Sequence, residues 1–159
     1  MRDALPVIGA IACCAALSAC TTAGAKHAPG DGSVHQLHQA FISAINTNNA
    51  DAILALCTED VVFLPPHEPA VVGKAAARQW LDAYLNTYTT RQEETSNELI
   101  VSGDWAFQRI SYKETDTPKA GGPAVVDTGK GLDVFHRGKD GKWRVARDAW
   151  NSDLPVPGR

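Results

Sequence analysis

"DTGKGLDVFHRGKDGKWRVARDAWNSDLP", residues 127–155, decides the fold. Two runs with apolar alternation flank Asp140-Gly141, a tight-turn signal, so the stretch reads as a β-hairpin. If those two residues form the turn, Val145 faces His136, Arg147 faces Val134, Ala149 faces Leu132 and Asn151 faces Lys130. Trp143, Val145, Leu132 and Val134 then make the core face. Arg147, Asn151 and Lys130 continue it towards its far end, and Arg144, Ala146, Asp148 and Trp150 take the other side. A single β-bulge near Arg147 would exchange that parity and turn Asp148 and Trp150 inward.

Working back along the chain, two more strands are expected at about 92–101 and 104–114, joined by a Gly103-Asp104 turn, and "TPKAGGP" is a longer turn before a strand at 125–137. In the strand at 104–114, Ala106, Ile110 and Tyr112 share one face, and Trp105, Phe107 and Arg109 the other. Both faces are partly apolar, which predicts that the second packs on another subunit.

The region before the strands is helical. Ser33 and Gln36 form a capping-box pattern ahead of Val34, Leu37, Phe41 and Ile45, giving an amphipathic helix to about Asn46. Asn49 caps a shorter helix through "DAILALC", where Cys57 reads as a small buried hydrophobe. "VVFLPP" is a strand stopped by Pro65 and Pro66. After Gly73, Ala77, Trp80, Leu81, Tyr84, Leu85 and Tyr88 mark one helical face. Helices first and a meander afterwards predict an α+β domain over 33–155, with residues 156–159 as a tail.

The chain has 159 residues, 44% hydrophobic and 21% charged, with a formal charge of -3. That suits one globular domain and argues against a nucleic-acid partner. Residues 1–19 carry an apolar run from Val7 to Ala16, shorter than the roughly 20 residues of a spanning helix. Leu17-Ser18-Ala19-Cys20 resembles a bacterial lipobox. That resemblance implies an exported protein anchored through lipidated Cys20, with Cys13 and Cys14 removed alongside the signal peptide. Thr21 in place of aspartate points to the periplasmic face of the outer membrane if the source is diderm. Residues 20–32 then form a flexible tether, about 40 Å when extended.

"NTNNADAILALCTEDVVFLPP", "VVGKAAARQWLDAY", "SGDWAF" and the hairpin together resemble the SnoaL-like branch of the nuclear transport factor 2-like superfamily, related to ketosteroid isomerase, over essentially all of 33–155. The resemblance implies a cone-shaped α+β barrel. Three N-terminal helices pack on a strongly curved antiparallel sheet that wraps the helix bearing Trp80 and Tyr84, and homodimers form through the sheet. The family's enzymes mostly move a proton beside a carbonyl.

On this reading Asp148, Asp127 and His67 are the catalytic candidates. Phe63, Trp80, Tyr84, Tyr112, Trp150 and Asn151 line a pocket with a basic end at Lys130 and Arg147, suited to a small hydrophobic, acidic ligand. His35 and His38 lack ligand-spaced partners and read as surface or boundary residues, so no metal site is expected, and no glycine-rich phosphate loop implies a cofactor. The favoured expectation is a lipid-anchored ligand-binding domain. The alternatives are a cofactor-independent isomerase, cyclase or dehydratase, and a dimeric interaction module without turnover. The direction of Asp148 separates binding from catalysis.

Overall fold

The computed structural model describes residues 31–155. The lipobox with Cys20, the tether before Asp31 and the tail from residue 156 lie outside them. No helix among the described residues is long and apolar enough to cross a membrane.

Helix α1 spans Asp31–Asn46 and buries Val34, Leu37, Phe41 and Ala44. Its end is clamped to the sheet by two asparagines that imitate a strand. Asn46 exchanges hydrogen bonds with the backbone of Gln92 at 2.7 and 2.9 Å, and Asn48 does so with Thr90 at 2.7 and 3.0 Å. Helix α2, Ala50–Ala55, is capped as the sequence predicts, with Asn49 Oδ1 accepting from the N–H groups of Asp51 and Ala52. Strand β1, Cys57–Leu64, stops at Pro65, and a short β2, Val71–Val72, folds back on it. Gly73, at φ 84°, then turns the chain into α3, Lys74–Thr87, with Ala77, Leu81 and Leu85 against the core.

Four long strands follow: β3, Tyr88–Ser102; β4, Trp105–Pro118; β5, Val125–Arg137; and β6, Trp143–Ser152. Tyr88 is already extended and begins β3, although the apolar spacing places it on the helix. The Thr-rich run after it favours a strand. The sheet order is β2-β1-β6-β5-β4-β3. All neighbours are antiparallel except β1 and β6, which run parallel, so the sheet is mixed where an all-antiparallel one was expected. The long excursion between these two strands removes the hairpin constraint that would force them antiparallel. The sheet is strongly curved but stays open. Its bending is helped by a break in register on β3 between Ser96 and Glu98.

In the β5–β6 hairpin, two irregularities of one residue cancel. The loop closes through Gly138 N–H to Lys142 O and leaves Lys139, Asp140 and Gly141 outside the ladder, one residue more than a turn of Asp140-Gly141 alone, and Val145 pairs with Phe135. Val145 and Ala146 are both buried, and the register then steps so that Arg147 pairs with Val134. Beyond this bulge the pairs Ala149 with Leu132 and Asn151 with Lys130 agree with the sequence reading, but the faces are reversed. Asp133 and Asp148 stand side by side on the inner face. Leu132, Lys130 and Arg147 lie on the outer one.

Candidate active site

The concave side of the sheet, α1 and α3 enclose a cavity of about 720 Å³, a volume suited to a small molecule. One wall is aromatic. Trp80 stacks on Tyr84 at 5.4 Å and meets Phe63 and Trp150 edge-on at 6.2 and 6.1 Å. The indole N–H of Trp80 donates to Glu68 at 2.8 Å, which fixes the ring. These contacts arise because α3 presents Trp80 and Tyr84 one turn apart while β1 and β6 run beside each other beneath them.

The cavity also holds two groups of carboxylates. The deep one centres on Asp148, placed by the bulge between Phe63 of β1 and Asp133 of β5. Burial, reinforced by the negative charge of Glu94, pushes the Asp148 carboxyl up to about 7, and a hydrogen bond with Asp133 holds it from rising further. Asp133 is 4% exposed, and burial together with the charges of Asp148 and Glu94 holds it well above the usual carboxylate range. The pair therefore retains a proton between its two carboxyls more readily than free carboxylates do. Behind them His38 Nε2 lies 2.7 Å from Glu94 and 3.9 Å from Asp133.

The second group lines the outer part of the cavity. The Tyr84 hydroxyl lies 2.6 Å from Asp116 and 3.2 Å from Glu114. Burial and the charge of Asp116 push Glu114 up to about 7. Asp127 accepts from Tyr112 at 2.8 Å and from Ser152 at 2.5 Å. The Tyr84 and Tyr112 hydroxyls are both raised by burial and by these carboxylates, so they stay protonated donors. A Cβ on Gly129 would stand 2.6 Å from the Tyr112 ring and 2.2 Å from Asn151 O, so only glycine leaves room for this arrangement.

Of the residues singled out from the sequence, Asp148, Asp127, His67, Phe63, Trp80, Tyr84, Trp150 and Asn151 border the cavity. His67 is at its mouth, exposed, and holds a left-handed φ of 62° that a histidine seldom adopts. Three expectations need correction. Lys130 is exposed and ion-paired with Asp153, and Arg147 binds Asp60 on the outer side, so neither gives the cavity a basic end. Tyr112 stands behind Asp127 instead of in the wall. His38, taken for a surface or boundary residue, is 4% exposed on the inner side of α1.

Glu94, Glu114, Asp116 and Asp133 were missed. Extending the inner-face parity of Ala106, Ile110 and Tyr112 past residue 114 would have found two of them. His38, Glu94 and Asp133 bring ligand-type atoms within 4.8 Å of one another, the group among the described residues able to hold a metal ion. The 2.7 Å contact within it is a hydrogen bond. Cys57, as expected, is inert: burial pushes its thiol up to about 12, and it donates to Ile53 O.

A family model for the SnoaL-like domain matches residues 38–146. The chain belongs to the SnoaL-like family. Its fold is that of the nuclear transport factor 2-like proteins. It is similar to a ketosteroid isomerase-like protein from Erwinia carotovora atroseptica, with 26% identity and a TM-score of 0.73 over 78% of this chain and 96% of that one. It is also similar to a conserved protein from Planctomyces limnophilus, with 22% identity and a TM-score of 0.70 over 77% and 96% of the two chains. A protein of unknown function from Mycobacterium tuberculosis shares 25% identity, with a TM-score of 0.67 over 79% and 77%. No curated protein matches the SnoaL-like chain in sequence.

Proposed function

We propose that this SnoaL-like domain is a cofactor-independent acid–base catalyst that moves a proton beside a carbonyl group of a small, largely hydrophobic substrate. The observation that carries the reading is the inward Asp148 carboxyl, held near neutrality with Asp133 as its proton partner. A base works best when its pKa lies close to the working pH, and Asp148 meets that condition without a metal or a prosthetic group. In the proposed step the Asp148 carboxylate takes a proton from the carbon next to the carbonyl, leaving an enolate. Asp148 then returns the proton to another carbon, an isomerisation, or to a leaving hydroxyl, a dehydration. His67, at the mouth, is the candidate to steady the enolate oxygen.

The test is hydrogen–deuterium exchange at the α-carbon of 2-tetralone in D2O, followed by proton NMR. The wild-type chain should accelerate exchange, and Asp148→Asn should lower that rate by about 10²–10⁴-fold. The rate should rise with pH through about 7 as Asp148 ionises. Equal rates in enzyme and variant would leave a binding domain without turnover as the better reading.

Two further parts of the proposal concern where the catalyst sits. Lipidation at Cys20 would anchor it to a membrane of an exporting cell, and Cys20→Ser should release it into the soluble fraction. The outer face of the sheet exposes Ile100, Trp105, Phe107 and Leu132, each more than two-fifths accessible, and a second copy is the partner proposed for it. Phe107→Lys should convert a dimer to a monomer in light scattering.

A further inference from the structure

The distribution of charge around the cavity identifies what kind of molecule it takes. Among the described residues its walls include six carboxylates, Glu68, Glu94, Glu114, Asp116, Asp127 and Asp148, and no lysine or arginine. The described lysines and arginines that form ion pairs form them away from the cavity: Lys74 with Glu59, Arg78 with Asp51, Arg91 with Glu93, Arg109 with Glu98, Arg137 with Asp104 and Arg144 with Asp140, besides Lys130 and Arg147. Of the inner carboxylates, Glu114, Asp116 and Asp127 take hydroxyl donors, while Glu94 faces His38 and Glu68 the indole N–H of Trp80. That supply is short by at least one, because Asp116 Oδ1 is buried and has no donor. Beside it stand the faces of Tyr84 and Trp80, with Trp150 closing the corner.

We infer that the substrate carries a protonated amine, which sits against Glu114 and Asp116 with its carbon stem on Trp80 and Tyr84. Three features favour an organic ammonium group. Buried carboxylates without cationic partners are costly, and an ammonium offsets that cost. An orphaned acceptor needs an N–H donor, which a primary or secondary amine supplies. Aromatic faces attract cations and bury alkyl stems, whereas an inorganic ion would leave the apolar wall of Phe41, Ile45, Leu81 and Ile110 empty. An acidic ligand, by contrast, would meet like charge on every side.

This inference names the substrate class of the site proposed above and rests on that site being a substrate cavity. Its test uses a matched set with the full chain: phenethylammonium, its neutral isostere propylbenzene, and the anion 3-phenylpropionate, each titrated by tryptophan fluorescence and calorimetry, with a calcium chloride titration alongside. The ammonium compound should bind at least tenfold more tightly than propylbenzene, with no detectable binding of the anion. Asp116→Asn and Glu114→Gln should each reduce the ammonium preference, while propylbenzene affinity stays within about twofold. Equal affinity for ammonium and hydrocarbon would overturn the inference, as would tighter binding of the anion, or no binding of any compound. Calcium binding that excludes phenethylammonium, with the same dependence on Glu114 and Asp116, would overturn it in favour of an inorganic cation. Because 2-tetralone is uncharged, exchange of its α-protons reports on Asp148 separately. Loss of amine preference with exchange intact refutes the substrate class alone, and amine binding without exchange refutes turnover alone.

Discussion

The two carboxylate groups of the cavity meet the same difficulty by different means. In the deep group, Asp133 and Asp148 face each other across a strand pair with Glu94 nearby, and the charge is relieved by retaining a proton between them and by one histidine. In the outer group, Asp116 and Asp127 are supplied with hydroxyl donors from Tyr84, Tyr112 and Ser152. A shared proton can be exchanged with a substrate, whereas a tyrosine held far above its usual titration range only points a dipole. On the function proposed above, the difference would assign chemistry to the depth of the cavity and recognition to the part nearer its mouth.

The strongest way to break the outer arrangement is Gly129→Ala. The added methyl would collide with the Tyr112 ring and with Asn151 O, and the expected loss is about 3 kcal/mol in urea denaturation, an overpacking cost. The Asp148 titration should persist, because the deep group does not depend on Tyr112. An unchanged midpoint would show that the strand pair yields freely. The deep group is probed by Asp133→Asn, which should stabilise the fold at pH 8 by about 1–2 kcal/mol, since it removes a buried carboxyl from beside two others. A loss of stability would instead make Asp133 an acceptor that His38 requires.

Smaller still is the effect of pH on the unmodified chain. Asp148 and Glu114, raised to about 7, and Asp133, also raised by burial, bind protons in the folded state at pH values where the unfolded chain has released them. Their contribution is complete below about pH 4 and fades as pH rises through about 7. Melting temperature should thus be higher at pH 5.5 than at pH 8, with the slope reduced in Asp133→Asn. A rise in melting temperature over that interval would contradict the proton-sharing picture. Least affected should be Lys130→Met, within about 1 kcal/mol, because the pair with Asp153 is exposed to solvent.

The helices and the meander were legible because periodicity and turn residues act locally. Asn49, Gly73, the two prolines and the face of α3 carry their meaning within a few positions. The aromatic wall was legible for the same reason. Asp148 and Trp150 could be narrowed only to two alternatives, since a strand alternates its faces only until an extra residue intervenes, and no sequence rule marks Ala146 as that residue. Lys130 and Arg147 were misplaced by carrying the parity of Val145 through it. Glu114 and Asp116 escaped because β4 runs beyond the apolar part of its pattern to Pro118. Asp133 and His38 escaped because their partnership joins residues that only the folded sheet brings together.

Ala146 has a consequence for how such a site can change. Strand β6 carries two messages in opposite phase: Trp143 and Val145 address the core, Asp148 and Trp150 address the cavity, and the inserted alanine is where the phase turns over. Taking Ala146 up into the regular ladder would turn over every residue beyond it and present Arg147 and Ala149 where Asp148 and Trp150 now stand, whereas deleting it would still pair Arg147 with Val134 and Asp148 with Asp133 and leave the faces as they are. The charge of this wall therefore depends on whether one alanine is bulged or paired, and not on any change among the residues that form it.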